Sequence, residues 1–558
     1  MKKINAWIIA FTLLLVTLFT AGIFTLGFVK HTGKGLEYEA ESKACFSVAL
    51  ATGDSLNDIY VHIGAVHTLP GESVTITVKY STSSEGSSFK PFGEPITFKN
   101  EVDGVNYNWL CISSGQMKSG VSRITFSADY SLKLNEIVCV NKSGNTLILE
   151  GKKNDSDYSK EELDFAVDAV EAKVPFDTKL LEKTFTIEEG RVLGSVDNIF
   201  KGEGILNQGV YGFANEYNYV GLLFSAGSVA IFGNSAFALR LPSLLATTIF
   251  TLLAFALIRL ITKKDAVAFI ACALFIASGA GITLAYTGTP FAMIACALLA
   301  SVYFAYRFYA KGISSYQVGK GSVNILLSGV FGLLAFAMDA VSVVPLIGVG
   351  VLLGFGFRRQ RLAYTIASEK ENANTSALLA DYRKKTKFSV CALLIAIVIG
   401  FIFLVLGATL CYSAILRKYG IQTGLIAGIW KGIKYSFTGA GVLKTAGISS
   451  VLSWMFSVAF IKESIAYFIF STLGLISLCG LVAVSIHGFV KDKKDKEFIR
   501  LFRTVCVLLG GMFGALIAGL IKPDVAGAYL AVFALFYAMS VATFAVWGIE
   551  KLTRRNKK

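Results

Sequence analysis

The stretch LPSLLATTIFTLLAFALIRLI, residues 241–261, decides what kind of chain this is. It carries no charge before Arg259 and exceeds the roughly 18 apolar residues that mark a membrane-spanning helix. Runs of the same kind follow it: Ala266–Ala285, Phe291–Ala310, Val323–Ala337, Val341–Phe357, Phe388–Ile415, Ser464–Val490, Leu501–Ile521 and Val525–Trp547. Upstream, the basic start Met1-Lys2-Lys3 precedes an apolar run from Ala6 to Val29. That run is too long for a signal peptide and reads as an uncleaved first helix. The expectation is an α-helical multi-pass membrane protein with about ten spans.

Composition agrees. Of 558 residues, 54% are hydrophobic and only 16% charged, and the mean hydropathy is +0.60. A net charge of +15 suggests nucleic acid until the cations are located. They gather at the ends of apolar runs: Lys2–Lys3, Lys263–Lys264, Arg358–Arg361, Arg383–Lys387, Lys491–Lys496 and Arg554–Lys558. That is the imprint of the positive-inside rule and excludes a nucleic-acid partner. The run Tyr219–Gly233 is too short to cross a bilayer comfortably. Laid along the outer surface, it puts every basic cluster and both termini in the cytoplasm, as expected of a plasma-membrane protein.

Between the first helix and residue 218 the chain is polar. Ile59–Ile63, Ser73–Val78, Arg123–Phe126 and Leu134–Val138 alternate or are β-branched, with turns such as Ser83-Ser84-Glu85-Gly86-Ser87 between them. Short strands at this spacing predict a β-sandwich outside the membrane. The expected organisation is a first helix over 1–35, the sandwich over 36–150, and an outer loop with an acidic motif and surface helix over 151–237. A transmembrane bundle over 238–415, a basic outer loop over 416–463 and C-terminal spans over 464–558 complete it. Cys45, Cys111 and Cys139 fall in the polar segment, where one disulfide is conceivable and a zinc site is not indicated. The 416–463 loop carries Arg417, Lys418, Lys431, Lys434, Lys444 and Lys462 against the single acid Glu463. Basic charge on the outer side opposes the insertion bias and points to an anionic partner such as a lipid phosphate.

No Walker loop or HExxH is present, and only four histidines occur, which argues against ATP-driven transport and histidine-based metal sites. Ionisable residues inside the spans are few, so a proton relay has little to work with. The candidate acids are Glu188 and Glu189, in Thr186-Ile187-Glu188-Glu189-Gly190-Arg191-Val192. An adjacent pair can supply a general base or hold a divalent cation, with Arg191 adjusting its charge.

Glu188-Glu189-Gly190-Arg191-Val192 resembles the Asp-Glu-x-Arg-Tyr motif at the first outer loop of membrane glycosyltransferases of the GT-C class. Phe232-Gly233 followed by Arg240-Leu241-Pro242 is similar to that class's phenylalanine-glycine and arginine-leucine-proline stretch. Ser449-Ser450-Val451-Leu452-Ser453-Trp454 resembles, loosely, an outer-loop segment of its protein O-mannosyltransferase branch. The resemblance implies transfer of a sugar from a polyprenyl-phosphate carrier in the bilayer to an extracytoplasmic acceptor. Glu188 would be the base and Glu189 would bind acceptor or orient Glu188. Arg191, Arg240, Lys431, Lys434, Lys444 and Trp454 would line the substrate site. No cofactor is implied beyond the divalent cation. Tyr107-Asn108-Trp109 and Leu134-Asn135-Glu136-Ile137 resemble, faintly, galactose-binding-like (discoidin-type) jelly rolls, in which Tyr107 and Trp109 would stack on a sugar.

The departures from the class are specific. Asn215–Tyr219 stands where a histidine- or lysine-Pro-Pro-Leu is usual, Gly288 where an aspartate is often found, and Met338-Asp339-Ala340 where threonine-lysine-glycine is common. They keep two other readings open: a flippase of lipid-linked sugars, and a non-catalytic scaffold that presents the β-domain.

Overall fold

The computed structural model describes residues 6–26, 35–68, 72–83, 88–100, 103, 105, 107–167, 187–200, 218–233, 235–311, 318–370, scattered positions between 380 and 430, 465–491, 496–521 and 526–556. Most of the apolar run 388–415 and nearly all of the basic loop 416–463 lie outside them, with Lys431, Lys434, Lys444 and Trp454.

After α1 (Ala6–Thr25) ten strands form two antiparallel sheets. The strands are β1 (Leu36–Tyr38), β2 (Ala44–Ala49), β3 (Ser55–Val66), β4 (Ser73–Ser81), β5 (Lys90–Pro91), β6 (Ile96–Lys99), β7 (Asn108–Ser119), β8 (Arg123–Ala128), β9 (Leu132–Asn141) and β10 (Ile148–Gly151). One sheet has the order β1-β9-β3-β7. The other runs β10-β2-β8-β4-β5, with β6 also on β4. Apart from β4, β5 and β6, which share a sheet, successive strands alternate between the two sheets.

Period-2 patterning drives the packing. Val74, Ile76 and Val78 of β4 turn inward with Phe46, Ile124 and Phe126, against Ile59, Val61, Leu134 and Ile137 of the facing sheet. The helix α2 (Lys160–Asp164) closes one edge and adds Leu163 to this core. Its start is a capping box: Ser159 accepts from the Glu162 amide, and Glu162 accepts from the Ser159 amide at 2.8 Å. Cys45, Cys111 and Cys139 are all free, so no disulfide staples the domain.

The helical part comprises α3 (Ile187–Phe200), α4 (Asn218–Phe232), α5 (Ala236–Thr262), α6 (Asp265–Ala277), α7 (Gly279–Tyr286), α8 (Phe291–Lys311), α9 (Val318–Met338), α10 (Val343–Lys370), α11 (Ile465–Lys491), α12 (Lys496–Ile521) and α13 (Ala526–Asn556). Among the described residues six helices are long and apolar enough to cross a bilayer, or seven if α6 and α7 form one bent span, against the expected ten or so. Several apolar helices establish a multi-pass membrane protein.

One reading of a single run changes. Residues 266–285, expected as one span, break by 68° between α6 and α7. The reason is local: the Ser278 hydroxyl caps the Gly281 amide at 3.2 Å, and a Cβ at Gly281 would stand 2.2 Å from the Phe275 carbonyl oxygen. A side chain at 281 would not fit the turn as it stands. The short run 219–233 forms α4, packed on α3 and α5.

Candidate active site

The acidic motif opens α3, whose Val192, Leu193 and Val196 are buried in the same apolar cluster as the bundle. Glu189 is fully buried. Across from it, Ser235 caps α5 by accepting from the Ala238 amide at 3.1 Å, which sets the first turn of that helix and carries Arg240 towards α3. Arg240 then grips Glu189 with a planar fork: Nε donates to Oε1 at 2.6 Å and Nη2 to Oε2 at 2.9 Å. Its Nη1 donates to the Leu26 carbonyl at 3.3 Å, at the end of α1. The Gly288 amide, in the turn between α7 and α8, donates to Glu189 Oε1 at 2.7 Å.

One carboxylate therefore ties together α1, α3, α5 and the 287–290 turn. Desolvating a carboxylate is costly, and only a partner in good geometry offsets it; the bidentate guanidinium supplies that geometry. The same turn is pinned from below, where the Ser243 hydroxyl donates to the Thr289 carbonyl at 2.8 Å. Pro242, inside α5, has no N–H for the helix ladder, so the Arg240-Leu241-Pro242 stretch sits where α5 leaves its N-terminal turns.

Gly288 departs from the class for a steric reason. A Cβ there would stand 2.4 Å from Leu239 Cγ and 3.2 Å from Glu189 Oε1. An aspartate has no space in this packing, and a second carboxylate would face the first. Met338-Asp339-Ala340 also acquires a partner. Asp339 is fully buried and accepts a hydrogen bond from the Tyr529 hydroxyl, which lies 3.2 Å from the Ser342 hydroxyl. In the sequence Asp339 stands out only as a departure from the class, and Tyr529 carries no local signal. The one available signal was an acid at the turn between two apolar runs.

The remaining expected residues divide. The backbone of Glu188 and Arg191 lies in α3, and their side chains lie outside the described residues. Arg240, expected on the leaving phosphate, is committed to Glu189. Tyr107, expected to stack on a sugar, is 2% exposed and belongs to the cluster that holds Val192 and Leu193 of α3, so it offers no face to a ligand. It is a clasp between sandwich and bundle, held at a φ of +60° that bulky residues rarely adopt. Trp109 is half-buried and meets His62 edge to face, with ring centroids 5.0 Å apart. Among the described residues no group of three or more His, Cys, Asp or Glu could hold a metal. Glu189 fits a divalent cation poorly, because a guanidinium already holds both of its oxygens.

An apolar cavity of about 340 Å³ opens between α8, α10, α12 and α13, lined by Leu298, Val302, Val349, Leu352, Gly511 and Phe536. Tyr529, the partner of Asp339, also lines it.

Residues 219–368 match the family of dolichyl-phosphate-mannose-protein mannosyltransferases. The chain resembles the GT-C glycosyltransferases. The matched segment runs from the start of α4 to the end of α10 and includes Arg240, Gly288 and Asp339. Among solved structures, the archaeal oligosaccharyltransferase AglB from Archaeoglobus fulgidus, in complex with an inhibitory peptide and a dolichol-phosphate, is similar at 13% identity and a TM-score of 0.34, over 61% of this chain and 44% of that one. ArnT from Cupriavidus metallidurans in the apo state is similar at 13% identity and a TM-score of 0.27, over 64% and 72%. The chain spans under half the length of the oligosaccharyltransferase. No curated protein matches it.

Proposed function

We propose that this protein is a GT-C-type membrane glycosyltransferase that moves a sugar from a polyprenyl-phosphate carrier to an acceptor outside the cytoplasm. The observation that carries the reading is the buried junction of Glu189, Arg240 and the Gly288 amide. It fastens the acidic motif to the segment that matches the mannosyltransferase family.

In this reading the two acids divide their work. Both oxygens of Glu189 are taken, so Glu189 and Arg240 position α3, and Glu188 is the base that accepts the proton of the acceptor hydroxyl. The C1 of the sugar then exchanges its bond to phosphate oxygen for one to the acceptor oxygen. The phosphate leaves with the electron pair, and its growing charge is met by cations. With Arg240 occupied, that task falls to Lys431, Lys434, Lys444 and Arg191, with Trp454 beside them. The apolar cavity by Tyr529 suits a polyprenyl chain. The topology proposed with this function has about ten spans and both termini in the cytoplasm. For the sandwich, β1, β3, β7 and β9 form one sheet and β2, β4, β8 and β10 the other, joined there by the short β5 and β6, which supports a jelly roll. Trp109 is the residue left to meet a glycan there.

One observation favours a flippase: the break between α6 and α7, since transporters often carry discontinuous helices. A transfer assay with a polyprenyl-phosphate sugar and the purified full chain separates the two. Glu188→Gln keeps the shape and removes the base, and transfer is expected to fall at least about a hundredfold with carrier binding little changed. Wild-type turnover by that variant would rule out Glu188 as the base. Carrier movement across vesicles with no transfer by the wild type would establish the flippase.

A further inference from the structure

Helix α3 is buried on more than the face it shows to the bundle. Glu189, Val192, Leu193 and Val196 are buried and recur at helical spacing, which gives the bundle one stripe. Gly194 and Ser195 are buried as well, so the run from Val192 to Val196 is covered without a break. Successive residues turn by about 100° around a helix, so this run passes a full turn. A helix resting on the outer end of a bundle would leave its far side open, so a second body lies over α3.

The sandwich reaches that place. Among the described residues it contributes Ala65 and Tyr107, each 2% exposed, to the apolar cluster that holds Val192, Leu193 and Val196. Both come from one corner of the four-stranded sheet, where Ile63 of β3 pairs with Asn108 of β7 and the Tyr107 amide donates to the Gly64 carbonyl at 3.4 Å. The corner is tightly packed: a Cβ at Gly64 would stand 2.9 Å from the Asn135 side chain of β9. Tyr107 keeps its φ of +60° there. A residue other than glycine persists in that region only where its surroundings over-determine it. Glycine would adopt the same backbone freely, so the burial of the ring offsets the strain.

A second hold on α3 matters because the first is a single point. The junction with Arg240 and the Gly288 amide fixes Glu189 near the start of the helix. A helix fixed at one residue can still roll about it, and Glu188 stands one residue away, about 100° around the axis. We propose that the sandwich corner of Ala65 and Tyr107 clamps α3 against the bundle, and that Tyr107 is a positioning residue for the acidic motif. The inserted domain is then part of the scaffold of the site. The clamp follows from packing alone, whereas its consequence for transfer rests on the glycosyltransferase reading.

The test compares the purified full chain with Tyr107→Phe and Tyr107→Gly. Phenylalanine keeps the ring, and glycine removes it while suiting the backbone, so the sandwich itself is not strained by the change. Amide hydrogen exchange over α3 and α5 reads the clamp directly. The glycine variant is expected to exchange about tenfold faster or more in α3, with α5 unchanged, and the phenylalanine variant to match the wild type. Unchanged exchange in α3, an equal rise in α5, or the same rise in both variants overturns the clamp. In the transfer assay the glycine variant is expected to lose about tenfold to a hundredfold in kcat, as a small misplacement of reacting groups does, with the KM for the carrier unchanged. Full turnover by a glycine variant whose α3 exchanges fast overturns Tyr107 as a positioning residue. If the wild type transfers no sugar, the glycosyltransferase reading fails, and the exchange measurement decides the clamp without it.

Discussion

The β-sandwich and the membrane bundle both bury large apolar side chains, and they differ in what they show outside and in how small residues are used inside. In the sandwich the large side chains Tyr38, Phe46, Phe92 and Phe126 are fully buried, and lysines and serines face water. In the bundle Leu13, Ile347 and Phe513 face outward, each more than 60% exposed, while Ala292, Ala295, Ser301, Ala528, Ala531 and Ser540 are buried among a few large side chains such as Phe250, Phe275 and Tyr529. Glycines do the closest packing: a Cβ at Gly474 would fall 2.0 Å from the Tyr537 ring, and one at Gly511 2.4 Å from Phe536. Water drives large apolar groups together, whereas lipid does not, so helices in lipid associate through small residues and close contact. A polar group is thus cheap on the sandwich surface and must be matched inside the bundle. Glu189 and Asp54 show the two extremes.

The largest effect is expected where the bundle holds its buried charge. Replacing Glu189 by Ala leaves the Arg240 guanidinium without its carboxylate, and removing one partner of a buried pair costs about 3–5 kcal/mol. A thermal melt in detergent should show a strong loss, shared by Arg240→Ala. If both variants melt like the wild type, the junction does not hold the bundle together.

Next is the sandwich. A fragment spanning 36–167 carries its own core and the α2 cap, and is expected to fold alone with one cooperative melting transition. Phe126→Ala within it should cost about 3–5 kcal/mol, read by denaturant unfolding. A fragment that shows no cooperative transition would mean that the sandwich depends on the bundle, through the Tyr107 clasp.

A smaller effect is expected at Gly288. Installing the aspartate usual in the class, Gly288→Asp, forces the chain against Leu239 and sets a carboxylate near Glu189. Overpacking of this kind typically costs about 1–3 kcal/mol, and the melting temperature should fall measurably but by less than for Glu189→Ala. An unchanged or raised value would show that the turn can open.

The smallest effect lies at Asp54, half-exposed at the edge of the sandwich. The Asn141 side chain and then the Ser55 amide donate to its carboxylate and hold its pKa below the usual carboxylate range. A depressed folded-state pKa adds stability that is present above the unfolded value of about 3.9 and lost as pH falls through the folded one. Wild-type fragment and Asp54→Asn should differ slightly near neutral pH and converge once the pH has fallen through the folded-state pKa. A difference that persists in acid would point to packing and away from charge.

Residues whose role depends on near neighbours were legible in the chain. The strands containing Ile59–Ile63 and Ser73–Val78, the span at 241–261 and the start of the acidic helix each follow from a pattern of a few residues, because burial along a strand or helix repeats with the period of the backbone. Arg240-Leu241-Pro242 was also visible as a motif, but its task was not. Nothing in a local pattern says that a guanidinium meets a carboxylate 51 positions away. Nor does it say that Gly288 must lack a side chain because Leu239 fills the space, or that Asp339 will find Tyr529 190 positions later. The sequence by itself determined where lipid and water would each be met, since transfer free energy is a property of the residue and its immediate run. Only the tertiary structure decided which acid is committed to a buried ion pair and which helices that pair joins. That choice rests on ångström-scale contacts between segments joined by no local rule.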